Sequence, residues 1–122
     1  MTRAAKLQQR AAEYGFDWSD PEPIPDKIRE ELDEVRQARA SGDAAHIREE
    51  IGDLLFACVN LARHLGVDGE AALRAANRKF AMRFDHMIAA LEGDVESFRS
   101  LSATAKEALW QRAKTRAAGD AN

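Results

Sequence analysis

Apolar residues recur at helical spacing through most of the chain, and glycines or prolines interrupt them at a few places. Residues 3–14 put Leu7, Ala11 and Ala12 on one side, and Gly15 ends this first helix. The stretch from Gly15 to Pro25 holds Pro21, Pro23 and Pro25 and is expected to be a loop, because proline offers no amide to a regular ladder. A second helix is predicted from Asp26 to Ala40, with Ile28, Leu32 and Val35 on its apolar side. Gly42 stops it and Asp43 caps a third helix, which runs to about Leu65 before Gly66. Asp68 caps a fourth over residues 69–91, whose stripe of Leu73, Ala76, Phe80, Phe84, Met87, Ile88 and Leu91 is expected to be buried. Gly93 ends that helix, and a polar connection follows. The last helix, 102–117, carries Leu109 and Trp110 and is capped by Ser102, or by Thr104 in the capping box Thr104-Ala105-Lys106-Glu107. Residues 118–122 read as a frayed tail. The pattern therefore predicts an all-α helical bundle in a single domain of residues 1–122: an N-terminal helix and Pro-rich loop (1–25), a helical centre (26–91) and a C-terminal helix.

Acidic residues change this picture at one place. Glu31 and Glu34 stand three apart on the second helix, and Glu50 and Asp53 three apart on the third, so each pair shares a helix face. Glu34 lies eight residues before Gly42 and Glu50 eight after it; Glu31 and Asp53 lie eleven before and eleven after. If the chain folds back at Gly42 as an antiparallel hairpin, equal counts give equal heights, ~12 Å and ~16 Å from the turn. Like charges brought to one level repel, and a hard cation with oxygen ligands relieves that repulsion. Magnesium suits such carboxylates, whereas zinc or iron would recruit His or Cys, and neither pair has a His at the spacing of a di-iron bundle. Ile51, Leu54 and Leu55 are expected to pack around the second pair. The alternative is two solvated acidic helix faces.

Composition narrows the function classes. A net charge of −3 and the lack of a long basic run argue against a nucleic-acid surface. Cys58 is the single cysteine and falls in the apolar run from Leu54 to Leu65, so it is expected to be a small core residue without a disulfide, as suits a reducing cytoplasm. No signal peptide, membrane span or lipidation motif is legible, and a cytoplasmic location is expected.

Other polar positions near this pattern carry two readings each. Lys27 falls on the stripe of Glu31 and Glu34, where it binds a phosphate or offsets local charge. Lys79 and Arg83, one turn apart with Asn77 nearby, are phosphate clamps or a solvated basic face. Asn60 touches substrate or is a buried Asn bonded to its neighbours, and His64 sits in a last turn where it favours the helix dipole. Trp18 stacks on a flat ligand or staples its loop to the bundle.

With these residues in place the chain resembles MazG-type nucleoside triphosphate pyrophosphohydrolases, closest to the C-terminal domain of the two-domain MazG proteins. The motif of Glu-Glu-x-x-Glu followed by Glu-x-x-Asp stands as Glu30-Glu31-Leu32-Asp33-Glu34 and Glu50-Ile51-Gly52-Asp53. The resemblance also covers Lys6-Leu7-Gln8, Gly15-Phe16-Asp17-Trp18, Asp26-Lys27, Gly52-Asp53-Leu54-Leu55-Phe56, Val59-Asn60-Leu61-Ala62-Arg63, Asn77-Arg78-Lys79-Phe80 and Leu109-Trp110. It implies an all-α fold in which the hairpin packs against that of a second copy, giving a four-helix core in a homodimer or higher homo-oligomer. It further implies cleavage of a nucleoside triphosphate between the α and β phosphates, with Mg2+ as cofactor and Mn2+ as its substitute. By the same resemblance Glu31, Glu34, Glu50 and Asp53 are the metal ligands and catalytic centre, and Lys27, Lys79 and Arg83 contact the phosphates. Trp110 lies near the nucleotide, and Glu30 and Glu49 support the ligands or serve as bases.

Direct attack by water at the α phosphorus agrees with this residue set, since no Ser, Cys or His triad supplies a covalent nucleophile. Two other functions fit the same residues: a non-catalytic nucleotide-binding helical module, and a hydrolase of a specialised nucleotide such as phosphoribosyl-ATP.

Overall fold

Six α-helices and no strand make up the described residues, 2–17 and 23–120, of the computed structural model, so the all-α class expected from the sequence is the class adopted. They are α1 (Thr2–Glu13), α2 (Pro23–Ser41), α3 (Ala44–His64), α4 (Gly69–Ala89), α5 (Val95–Ser100) and α6 (Ala103–Asp120). The chain divides into two units, Met1–Ala72 and Leu73–Asn122.

In the first unit both α1 and α2 pack on α3. The turn between α2 and α3 is made by local chemistry. Ser41 Oγ donates to Ala38 O at 2.5 Å, and the Gly42 amide donates to Arg39 O at 3.2 Å. Gly42 takes φ 73°, the left-handed region where a Cβ is costly. Asp43 Oδ1 then accepts from the amides of Ala45 and His46, satisfying donors at the start of α3. The chain reverses here within two residues, which is what aligns the acidic tiers.

Several sequence expectations are corrected. Helix α2 begins at Pro23, three residues before Asp26, because Pro23 and Pro25 occupy a first turn whose amides have no intrahelical partner to lose. The buried residues of α2 are Ile24, Glu31 and Ala38, spaced by seven, rather than Ile28, Leu32 and Val35; Leu32 is exposed and the other two are half-buried. On α3 the buried residues are Ala57, Val59 and Asn60, while Ile51 and Leu55 are exposed and Leu54 is half-buried. Ile51 and Leu55 lie ~160° around the helix from Asp53, so they cannot pack about the acid pair. On α1 it is Gln8, not Leu7, that is buried, and Cys58 is half-buried rather than a core thiol.

In the second unit the expected stripe of α4 is mostly uncovered. Met87 is buried and Ile88 and Leu91 are half-buried, but Leu73, Ala76, Phe80 and Phe84 are exposed. Phe80 and Phe84 stack at 6.4 Å, Trp110 lies 5.6 Å from Phe80 and Phe98 lies 5.6 Å from Phe84, so aromatic contacts join α4, α5 and α6. The polar connection after Gly93 contains α5, begun by Asp94, whose Oδ1 accepts from the amides of Glu96 and Ser97. For α6 the cap is Ser102, whose Oγ accepts from Ala105 N–H, rather than Thr104; the helix reaches Asp120.

Candidate metal and nucleotide site

The hairpin brings one carboxylate oxygen each from Glu31, Glu50 and Asp53 within 4.8 Å of one another. Glu31 comes from the buried seam of α2, Glu50 is half-buried, and Asp53 is exposed. Glu34 stands one turn on from Glu31, and the Glu50 carboxylate, then that of Glu31, raise its pKa to about 7. The equal counts about Gly42 thus produce a convergence of acids at one level of the hairpin.

Their partners leave an opening for a cation. Lys27 Nζ lies 3.1 Å from Glu31 Oε1 and 3.6 Å from Glu30, and the bond to Glu31 raises the lysine pKa above its usual value. His46 Nε2 lies 3.4 Å from Glu50 Oε1, a contact made by its i,i+4 spacing. Each glutamate, however, keeps a buried second oxygen, Glu31 Oε2 and Glu50 Oε2, with no hydrogen-bond partner. Buried acceptors without donors are costly. Unsatisfied carboxylate oxygens beside a third carboxylate are the donor set of a hard, oxygen-liganded divalent ion, so the residues present fit such a cation.

One cavity adjoins this cluster and a second adjoins the first. The smaller, about 200 Å3, is walled by Lys27, Glu31, Asp53, Phe56 and Asn60 among others. The larger, about 430 Å3, lies between α1 and α3 and shares Phe56 and Asn60 with it. Arg63 holds the rim of the larger cavity: Nη1 donates to Asp17 Oδ2 at 3.1 Å and Nη2 to Oδ1 at 2.6 Å. Nη2 also donates to Asn60 Oδ1 at 2.9 Å, so Asn60 is buried and bonded to a neighbour, one of its two expected readings. His64 Nε2 reaches Asp17 Oδ1 at 2.8 Å, so His64 ties down the residue after Phe16 instead of only meeting the helix end. These bonds, Arg63 first, hold the Asp17 pKa down at about 2.

Gln8, Asp17, His46 and Arg63 were not singled out by composition or spacing, because their pairings join distant positions or a His to an acid one turn on. Gln8, Asp17 and Arg63 do stand in segments that carry the family resemblance, and that was the available signal. Of the remaining candidates, Glu30 and Glu49 are exposed on α2 and α3. Lys79, Arg83, Asn77 and Trp110 belong to the second unit, where Lys79 and Asn77 are exposed and the Arg83 guanidinium lies 5.5 Å over the Trp110 ring. Trp18 lies outside the described residues. Among the described residues no helix is long and apolar enough to cross a membrane.

Comparison with known proteins identifies a family and several relatives. Residues 20–88 match the family described as MazG nucleotide pyrophosphohydrolase domain. A nucleoside triphosphate pyrophosphohydrolase/pyrophosphatase MazG of Thermotoga maritima is 43% identical over 114 residues, covering 93% of this chain and 44% of that protein. A nucleoside triphosphate pyrophosphohydrolase of Escherichia coli K12 is 45% identical over 116 residues, again 93% of this chain and 44% of the relative. An uncharacterized Bacillus subtilis protein, YabN, is 36% identical over 69 residues, 57% of this chain and 14% of its own length. The chain therefore spans less than half the length of these relatives. With its acid motif on a helical hairpin and most of its length matched, the chain belongs to the MazG nucleotide pyrophosphohydrolase domain family.

Proposed function

We propose that this chain is a nucleoside triphosphate pyrophosphohydrolase that uses Mg2+, or Mn2+ in its place, held by Glu31, Glu50 and Asp53 with Glu34 beside them. The observation that carries the reading is the trio of carboxylates within 4.8 Å, two of them with buried, unpartnered oxygens. A divalent ion bound there supplies Lewis-acid polarisation of phosphate oxygens and a water of lowered pKa. The chain's own residues do the rest. Lys27, already at Glu31, donates charge-assisted hydrogen bonds to the phosphates. Glu34, which stands beside Glu31 and Glu50, is proposed to accept the proton of the attacking water. Water adds to the α phosphorus, the bond to the bridging oxygen breaks, and the products are the nucleoside monophosphate and pyrophosphate. Lys79, Arg83 and Trp110 are proposed to complete the nucleotide site, with Glu30, Glu49, Asn60 and Asn77 in support. The working form is proposed to be a homodimer or larger homo-oligomer.

Purified protein incubated with triphosphates and Mg2+ is expected to release pyrophosphate, and a chelator is expected to stop the release. Asp53→Asn should lower kcat by at least about a hundredfold while circular dichroism keeps its helical signal. Orthophosphate as the product, or turnover indifferent to chelator, would overturn the proposal. Nucleotide and cation binding without any product would assign the chain to a non-catalytic nucleotide-binding module instead.

A further inference from the structure

Glu31 and Glu50 each have a basic residue one turn before them on their own helix. Lys27 Nζ lies 3.1 Å from Glu31 Oε1, and His46 Nε2 lies 3.4 Å from Glu50 Oε1. The glutamate side chains are 9% and 12% exposed, and the two basic side chains 43% each. In both glutamates the contacted oxygen is Oε1, while Oε2 is buried and without a partner. Counted from Gly42, the acids stand eight and eleven residues away, His46 four and Lys27 fifteen. At ~1.5 Å per residue His46 lies on the turn side of the acids and Lys27 beyond them. Lys27 is already assigned to the phosphates; His46 has no role so far.

Helix stability does not account for the His46–Glu50 pair. His46 occupies the first turn of α3, which begins at Ala44, and the positive end of a helix dipole disfavours a basic group there. A base four residues before an acid is also the less favourable order along a helix. The backbone of His46 is nonetheless fixed, because its amide donates to Asp43 Oδ1, the acceptor that starts α3. The three oxygens that meet within 4.8 Å all belong to carboxylates, so His46 stands outside that trio and reaches it through Glu50. A glutamate carboxylate turns easily about its last bond unless one oxygen is held. Where the held oxygen is one and the ligating oxygen the other, loss of the outer partner weakens cation binding.

We infer that His46 is a positioning residue for the divalent cation: its Nε2–H holds Glu50 Oε1 and so presents the buried Oε2 to the ion. His46 itself does not ligate the ion. The turn thereby reaches the acids through a chain of contacts, from Asp43 to the His46 amide and from the His46 ring to Glu50. This rests on the cation assigned to the acids in the pyrophosphohydrolase reading, but makes its own claim about how Glu50 is aimed.

The test is calorimetric titration of the full chain with Mg2+ alone, without nucleotide, at a pH where Glu34 is ionised. His46→Leu removes the donor, and His46→Gln keeps a donor without the ring; neither lowers helix propensity. The leucine variant is expected to bind Mg2+ at least about tenfold more weakly, and the glutamine variant to return to within about threefold of the wild type. In chelator the melting temperatures of all three should agree, since helix stability does not depend on the contact. Equal Mg2+ affinity in the wild type and His46→Leu would overturn the inference, and so would a glutamine variant as weak as the leucine one. A lower melting temperature of His46→Leu in chelator with unchanged Mg2+ affinity would make the pair a structural one and overturn it too. Product release separates the two claims. Mg2+ affinity that depends on His46, without pyrophosphate release from any triphosphate, would keep the inference and remove the pyrophosphohydrolase reading. Pyrophosphate release with an Mg2+ affinity indifferent to His46 would do the reverse, and a wild type that binds no Mg2+ would overturn both.

Discussion

A proton on Glu34 competes with the cation proposed for the acid cluster. With its pKa raised from 4.5 to about 7 by Glu50 and then Glu31, Glu34 holds its proton more tightly in the folded chain than in the unfolded one. Its contribution to stability is therefore complete below pH 4.5 and is lost as the pH rises through about 7. Two outcomes follow. In chelator, the melting temperature of the wild type should fall between pH 4.5 and about 7, and Glu34→Gln should flatten that fall. Mg2+ affinity, measured by calorimetry, should rise with pH, approaching about tenfold per unit for one released proton, and level off once Glu34 is ionised. Asp17 behaves in the opposite sense. Its pKa is lowered from 3.8 to about 2 by Arg63 and His64, so the stability it contributes is present above pH 3.8 and disappears as the pH falls through about 2. Asp17→Asn should lower the melting temperature at neutral pH and shrink the acid-induced loss over that window. A wild-type acid profile in Asp17→Asn would mean that the Arg63–Asp17 pair does not anchor the segment after α1.

At the scale of elements, the turn between α2 and α3 decides whether the acids meet at all. Gly42→Ala places a Cβ at φ 73°, where nothing crowds it but its own backbone resists it, and should cost about 1–2 kcal/mol. Asp43→Ala removes the acceptor for Ala45 and His46 and should cost about 1 kcal/mol. Both are checked by urea denaturation with the slope held in view. This turn was legible in the sequence because its causes are local: a glycine, a short acid and the amides two and three residues on. The convergence of Glu31, Glu50 and Asp53 was legible for the same reason, since a tight turn converts equal counts into equal heights. Other features were not. The start of α2 at Pro23 was hidden because proline is forbidden inside a helix but welcome in its first turn. Helix α5 was hidden because six residues are too few for a periodicity. Gln8 with Phe56 and Arg63 with Asp17 join residues nearly fifty positions apart, and no local pattern encodes such a pair.

At the scale of the whole molecule, the apolar side chains outnumber the places the single chain finds for them. In the first unit Ile51 and Leu55, one turn apart on α3, are 40% and 49% exposed, and Leu32 on α2 is 41% exposed. In the second unit Phe80 is 60% exposed and Leu73, Met82 and Phe84 are exposed with it. Isolated exposed apolar residues are ordinary, but repeated ones at helical spacing form a face that water penalises. The homo-oligomer proposed above would cover such a face with the same face of a second copy, which a two-fold axis requires to be self-complementary. Sedimentation should therefore give a mass at least twice the 13.5 kDa of one chain, and the melting temperature should rise with protein concentration. Changing Ile51 and Leu55 together to lysine should shift the protein to the single-chain mass and lower its melting temperature. Both side chains lie ~160° around α3 from Asp53, so the change leaves the carboxylates facing α2 and should spare Mg2+ binding as calorimetry reads it. A wild type that sediments at 13.5 kDa at every concentration would refute the oligomer. Loss of Mg2+ binding on dissociation would mean instead that the acid cluster is held in shape from outside its own hairpin.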